Sequence, residues 1–165
     1  MRTSLALLVF VAVVAACATL RDIVMLPRFE AAPGRGAELR LLAPSVQRPL
    51  GGAAVRLWAR VENPNGFGLR LETLAGELYL EGQRAALVDL PLGLPLRALQ
   101  DTVVPIDLSL SFSDLPGLAD VATRALGARA LSYRLDGRVG VDAGAFGPLE
   151  LGPTRLLDGE IAVLR

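Results

Sequence analysis

Few side chains in this sequence are equipped for catalysis. There is no histidine, and all seventeen cationic residues are arginine. The chain therefore cannot assemble a Ser–His or Cys–His nucleophile pair or the usual zinc ligand set. A Schiff base, a Ser–Lys dyad and a P-loop lysine are equally out of reach. Ser109, Ser111 and Ser113 have no base to activate them. Gly34-Arg35-Gly36 is not a nucleotide loop, since no completed Gly-x-Gly-x-x-Gly follows. Asp136 and Asp142 fall at even spacing, as paired carboxylates for acid–base work or calcium would. Arg134 and Arg138 fall on the same face, so a solvated charge ladder is the expected reading. No enzyme, metal or cofactor is expected. What remains is one cysteine, Cys17, and two asparagines, Asn63 and Asn65, which flank Pro64 and precede Gly66.

Cys17 closes a processing signal. Met1-Arg2-Thr3-Ser4 carries one positive charge, and Leu5 to Ala16 is an apolar run too short to span a bilayer. Val14-Ala15-Ala16-Cys17 resembles a bacterial lipobox, in which the thiol is diacylated and the chain is cut before the cysteine. The expected division is a lipoprotein signal peptide over 1–16, an anchor and linker over 17–26, and one domain over 27–165. Two or three acyl chains give stable anchoring. Ala18, rather than Asp, leans toward an outer membrane facing the periplasm if the cell is Gram-negative. With its only cysteine at the anchor, the domain relies on its core rather than on a disulfide.

That domain reads as a succession of short strands. Val55, Leu57, Ala59 and Val61 alternate with Arg56, Trp58, Arg60 and Glu62, the pattern of a half-buried strand. Pro64 ends it by removing a ladder donor, and Asn65-Gly66 tolerates the turn. Asn63 and Asn65 are expected to close that turn by bonding to nearby backbone, rather than to bind a ligand. Leu69 and Leu71 resume the alternation. Further strands are expected over 23–29, 38–42, 74–81, 85–90, 102–112, 131–142 and 159–164, with a hairpin at Glu81-Gly82-Gln83-Arg84. Residues 91–99 read as a proline-punctuated loop. Pro105 inside the 102–112 strand argues for an edge position or a bulge. One helix is expected over about 114–126, capped by Ser113 or Asp114 and ending at Gly127. The sum is an all-β sandwich of about seven to eight strands with one short helix. Formal net charge is +0, so nothing attracts nucleic acid.

Four pieces occur in order along the chain: Val61-Glu62-Asn63-Pro64-Asn65, Gly76-Glu77-Leu78-Tyr79-Leu80-Glu81-Gly82, Ser109-Leu110-Ser111-Phe112-Ser113-Asp114-Leu115, and Tyr133-Arg134-Leu135-Asp136-Gly137-Arg138-Val139. Together they resemble the late embryogenesis abundant type 2 proteins, which carry the WHy (water stress and hypersensitive response) domain. The resemblance spans roughly Pro27 to the C-terminus. Gly66-Phe67-Gly68 departs from it, being richer in glycine. It implies a fibronectin-type-III-like sandwich without enzymatic activity, associated with desiccation, cold and other water stress. The expected partners are the membrane, through Cys17, and non-specific client proteins; the domain is expected to be monomeric. Trp58, with Arg56 and Arg60 beside it, is a candidate surface contact for a client or the membrane, or equally a ring lying under a loop or a neighbouring arginine. Two other roles stay open: an envelope module carrying lipid or another apolar ligand, and a structural subunit of an envelope complex.

Overall fold

The computed structural model describes residues 24–113 and 118–164. The expected signal peptide and Cys17 lie outside these, as does the expected start of the helix at 114–117. Eight strands and one helix follow in the order β1 (Arg28–Ala31), β2 (Ala37–Leu42), β3 (Gly52–Glu62), β4 (Leu69–Leu80), β5 (Gln83–Leu96), β6 (Asp101–Ser111), α1 (Leu118–Gly127), β7 (Ala130–Asp142) and β8 (Pro148–Leu164). The all-β reading holds.

All eight strands are joined in one hydrogen-bonded sheet. β3 pairs β6 along one edge and β1 and β2 along the other; β2 runs parallel to β8, and the order continues through β7 and β4 to β5. Buried residues of β3, β4, β6 and β7 nevertheless belong to one core cluster. Strands so far apart in the order share a core only if the sheet folds over on itself into two layers. Leu57, Leu71, Leu74, Leu78 and Leu135 are wholly shielded from water at its centre. Each contributes about 1.5–3 kcal/mol relative to exposure. Val121 and Ala125 of α1 are also buried, so the helix closes one end of the sandwich.

The two-residue period decides which side chains face in. Val55, Leu57, Ala59 and Val61 are buried while Arg56 is exposed and Trp58 and Arg60 are half-buried. In β4 a register shift between Leu71 and Thr73 resets the period, so that Leu71 and Leu74 both point inward. At the β4–β5 hairpin Glu81 and Gly82 both have positive φ, 50° and 76°. That is the two-residue turn whose twist matches its strands.

Three differences from the sequence expectation have physical causes. Residues 91–96 continue β5 instead of forming a loop. Among the described residues β5 pairs only β4, so Pro91 and Pro95 sit on an edge, where a missing N–H breaks no ladder. Pro105 follows the same rule in β6, which pairs only β3. β8 starts at Pro148, not at Gly159, and its pairing with β7 is interrupted by two register shifts that scramble its alternation. The first strand lies at Arg28–Ala31, after Pro27 rather than across it.

Candidate functional site

Strand direction sorts the loops into two groups. The segment before β1 and the β3–β4, β5–β6 and β7–β8 connections lie together at one end of the sandwich, hereafter the asparagine end. The β2–β3 loop, the β4–β5 turn and α1 lie at the other, the helix end.

Among the described residues Asn63 and Asn65 are the buried polar ones, 0% and 1% exposed. Burying an amide is costly unless its donors and acceptors are met. Asn63 Nδ2 donates to the carbonyls of Phe67 (2.9 Å), Arg97 (3.1 Å) and, more weakly, Leu96 (3.4 Å). Its Oδ1 accepts from Asn65 N (3.0 Å) and Asn65 Nδ2 (2.9 Å). Asn65 faces the chain's N-terminal segment. Its Oδ1 accepts from Met25 N (2.8 Å) and its Nδ2 donates to Met25 O (2.9 Å), so the amide side chain pairs with a peptide as a neighbouring strand would. Its own carbonyl accepts from Leu99 N (3.1 Å). Two asparagines thus hold three segments far apart in sequence. Pro64 and Gly66 shape the turn between them; Pro64 is half-buried and Gly66 exposed. Phe67 packs against Phe146 of the β7–β8 connection, ring centroids 5.3 Å apart.

Trp58 lies on the outer face of the β3–β6 layer, opposite Pro105. Its ring is covered by the Arg35 guanidinium at 4.4 Å, with Arg56 at 5.9 Å. Arg56 grips Asp107 with two bonds (2.6 and 3.2 Å), and Arg60 holds Asp101 at 2.8 Å. Those bonds raise both guanidinium pKa values above the ordinary arginine range, Asp107 and Asp101 being the main causes. The three expected contact residues are therefore together, but each is engaged with a neighbour. Arg35, which completes the group, gave no sequence signal because it sits in a turn.

The other layer repeats the theme. Arg134 bonds Asp136 at 2.8 Å and stacks over Tyr79, Arg84 bonds Glu77, and Arg138 bonds Glu150. Asp142 accepts from the Gly144 N–H at 3.0 Å, away from Asp136's ion pairs. Among the described residues the two aspartates share no partner. Ser109 receives a bond from Arg48, and Ser111 from the Ser113 N–H. Between the layers beside α1, a space lined by Leu39, Leu80, Phe112, Val121 and Ala125 has a volume of only about 10 Å³, no more than one water requires.

With this geometry in hand, the family model for "Late embryogenesis abundant protein" (LEA type 2) matches residues 59–153, from β3 into β8. The chain belongs to the late embryogenesis abundant type 2 family. The matched stretch contains the Asn63-Pro64-Asn65 hub and the hairpin, and begins one residue after Trp58. A solved structure shares the fold. The solution structure of AT1g01470 from Arabidopsis thaliana superposes with a TM-score of 0.56 at 17% identity, covering 82% of this chain and 85% of that one. A crystal structure of a protein from Archaeoglobus fulgidus gives 0.44 at 12% identity, over 78% of this chain and 95% of that one. No sequence match to a curated protein is found. The late embryogenesis abundant type 2 family is not known as an enzyme family.

Met25, Arg97 and Leu99 were not singled out by the sequence. They lie 40, 34 and 34 positions from the asparagines that hold them, and only the antiparallel register brings them there. One signal was present: Leu99 is a large apolar residue in the short polar connection Arg97-Ala98-Leu99-Gln100.

Proposed function

We propose that this protein is a non-enzymatic, lipid-anchored protein of the cell envelope. It protects neighbouring proteins or the membrane as water is lost. The observation that carries this reading is membership of the late embryogenesis abundant type 2 family across the body of the sandwich. Val14-Ala15-Ala16-Cys17 supports the anchor.

The physics of the surface is consistent with such work. Arg56, Arg60, Arg84, Arg134 and Arg138 each have a carboxylate partner within reach on the same or an adjacent strand. In dilute water such exposed pairs contribute little. As water leaves, the effective dielectric falls and their attraction grows. A sheet face that neutralises its own charges stays folded while less self-sufficient proteins lose their solvent. The folded body then occupies client surfaces and slows their association.

The test is to dry and rehydrate a fragile enzyme with the purified protein, or with an equal mass of an unrelated β-sandwich, and to measure recovered activity. Recovery clearly above the control supports shielding. Recovery equal to the control refutes it. Intact mass of the membrane-extracted protein, with Cys17→Ser as reference, tests the anchor separately.

A further inference from the structure

Leu99 combines two features that are each unfavourable alone. Its φ is +54°, a left-handed backbone that L side chains other than asparagine and aspartate adopt at a cost. Its side chain is also 71% exposed. The other described non-glycine residue with positive φ, Glu81, is compensated: its carboxylate accepts from the Ser132 N–H and hydroxyl. Among the described residues Leu99 has no such side-chain return. Asparagine or glycine would suit its backbone better, so an apolar group held outward at this point calls for an apolar surface beyond it.

Met25, 51% exposed, is fixed beside it, because Asn65 bonds to both main chains. Phe67 and Phe146 are half-buried at the same end. The carboxylates nearby are engaged: Asp101 with Arg60, Glu62 with Arg28, and Asp142 with the Gly144 N–H. Arg97, exposed two positions before Leu99, forms no ion pair among the described residues. An apolar tip bordered by a free guanidinium suits an anionic lipid interface, where the apolar groups enter and the cation meets headgroups.

Tether length selects which end can reach lipid. Met25 is eight residues after Cys17, a reach of at most about 26–29 Å. The twelve-residue strand β4 runs from the asparagine end to the helix end, a distance of about 40 Å at roughly 3.3 Å per residue. Val46 and Leu50, exposed at the helix end, are therefore too far from an anchor at Cys17 to rest on the same bilayer with the strands upright. We propose that the asparagine end faces the membrane, with Met25 and Leu99 seated in the lipid interface and Asn65 clasping the stalk to fix that orientation. This rests on the reading of Cys17 as a lipid anchor.

The test uses full-length protein extracted from membranes and reconstituted in vesicles of phosphatidylethanolamine and phosphatidylglycerol containing a nitroxide lipid. An environment-sensitive fluorophore is attached to one added cysteine, Leu99→Cys, Met25→Cys or Val46→Cys, and circular dichroism checks each fold. The expected result is several-fold stronger quenching at positions 25 and 99 than at 46. Equal quenching at all three positions, with Cys17 acylated by mass, overturns the orientation and leaves the anchor standing. A blue-shifted but unquenched label at 99 also overturns it, since a protein surface rather than lipid then covers the tip. Absence of acyl groups on Cys17 overturns anchor and orientation together.

Discussion

Val46 and Leu50 at the helix end are at least as exposed, taken together, as Met25 and Leu99 at the asparagine end, but the two pairs are held by different means. Around Val46 the chain is pinned mainly by the short Ser45–Arg48 bridge and the Ser45 hydroxyl, contacts between residues three apart; its longer-range bonds, Arg48 to Ser109 at 3.4 Å and Phe112 N to Gly51 O at 3.2 Å, use no buried side chain. Around Leu99 and Met25 the pins are two buried amides that join segments 34 to 40 positions apart. A local contact restrains only its own turn. A long-range buried one couples the turn to the whole fold, because its loss leaves several groups desolvated at once. Exposure alone therefore says little about function. An exposed apolar side chain that the fold holds in place is the more informative one.

The sharpest way to break this contrast is Asn63→Ala. It strands the Phe67 and Arg97 carbonyls and removes the acceptor for two Asn65 donors. We expect a loss of about 3–4 kcal/mol in urea unfolding. A loss below about 1 kcal/mol would mean that water or a shifted loop replaces the amide, and the asparagine end would then be no stiffer than the other. Asn65→Ala should cost about 2–3 kcal/mol and should also release Met25, seen as faster hydrogen exchange at its amide. By contrast, Val46→Ser and Leu50→Ser should change stability by no more than about 0.5 kcal/mol each.

Leu99→Asn sharpens the comparison by changing sign. Asparagine tolerates the left-handed backbone, so we expect unfolding to become harder by about 0.5–1 kcal/mol. If stability falls instead, Leu99 is packed in a way its exposure conceals. A substitution that stabilises the fold while weakening contact with vesicles would separate what the leucine costs from what it does.

How far the sequence anticipates this molecule depends on where each residue sits. The alternations in β3, β6 and β7 were legible because each has one face on the core and one in water. The first half of β8 was not, since its register shifts displace the two-residue period that reveals a strand. The end of β5 was hidden by Pro91 and Pro95, which forbid a central strand but not an edge. At the candidate site, Asn63 and Asn65 stood out as the only asparagines, flanking a proline. That they are buried, and that they hold Met25 and Leu99, follows from which strands pair, and no local pattern encodes that. An arginine cover for Trp58 was one of the two expected readings, but that Arg35 supplies it was not legible, being a contact between a turn and a strand face.

The smallest effect is expected from pH, and it should separate the ends. At the helix end the Ser132 N–H and hydroxyl hold the Glu81 carboxyl below the usual range. In the neighbouring β4 strand, Tyr79 and Arg84 do the same for Glu77. A carboxyl with a lowered folded pKa is stabilising when ionised. Its contribution is present at neutral pH and is lost as pH falls through the folded value. Both groups are largely solvated, so the slope should be shallow. The asparagine network itself contains no titrating side chain. Moderate acid should therefore speed amide exchange at Ser132 relative to Asn65 and Leu99, after correction for the intrinsic pH dependence of exchange. Glu81→Gln should reduce the difference, because an amide oxygen accepts the same bonds without titrating. If exchange at Asn65 rises in step with Ser132, the two ends open as one unit, and the contrast between an end held by exposed bonds and one held by buried amides fails.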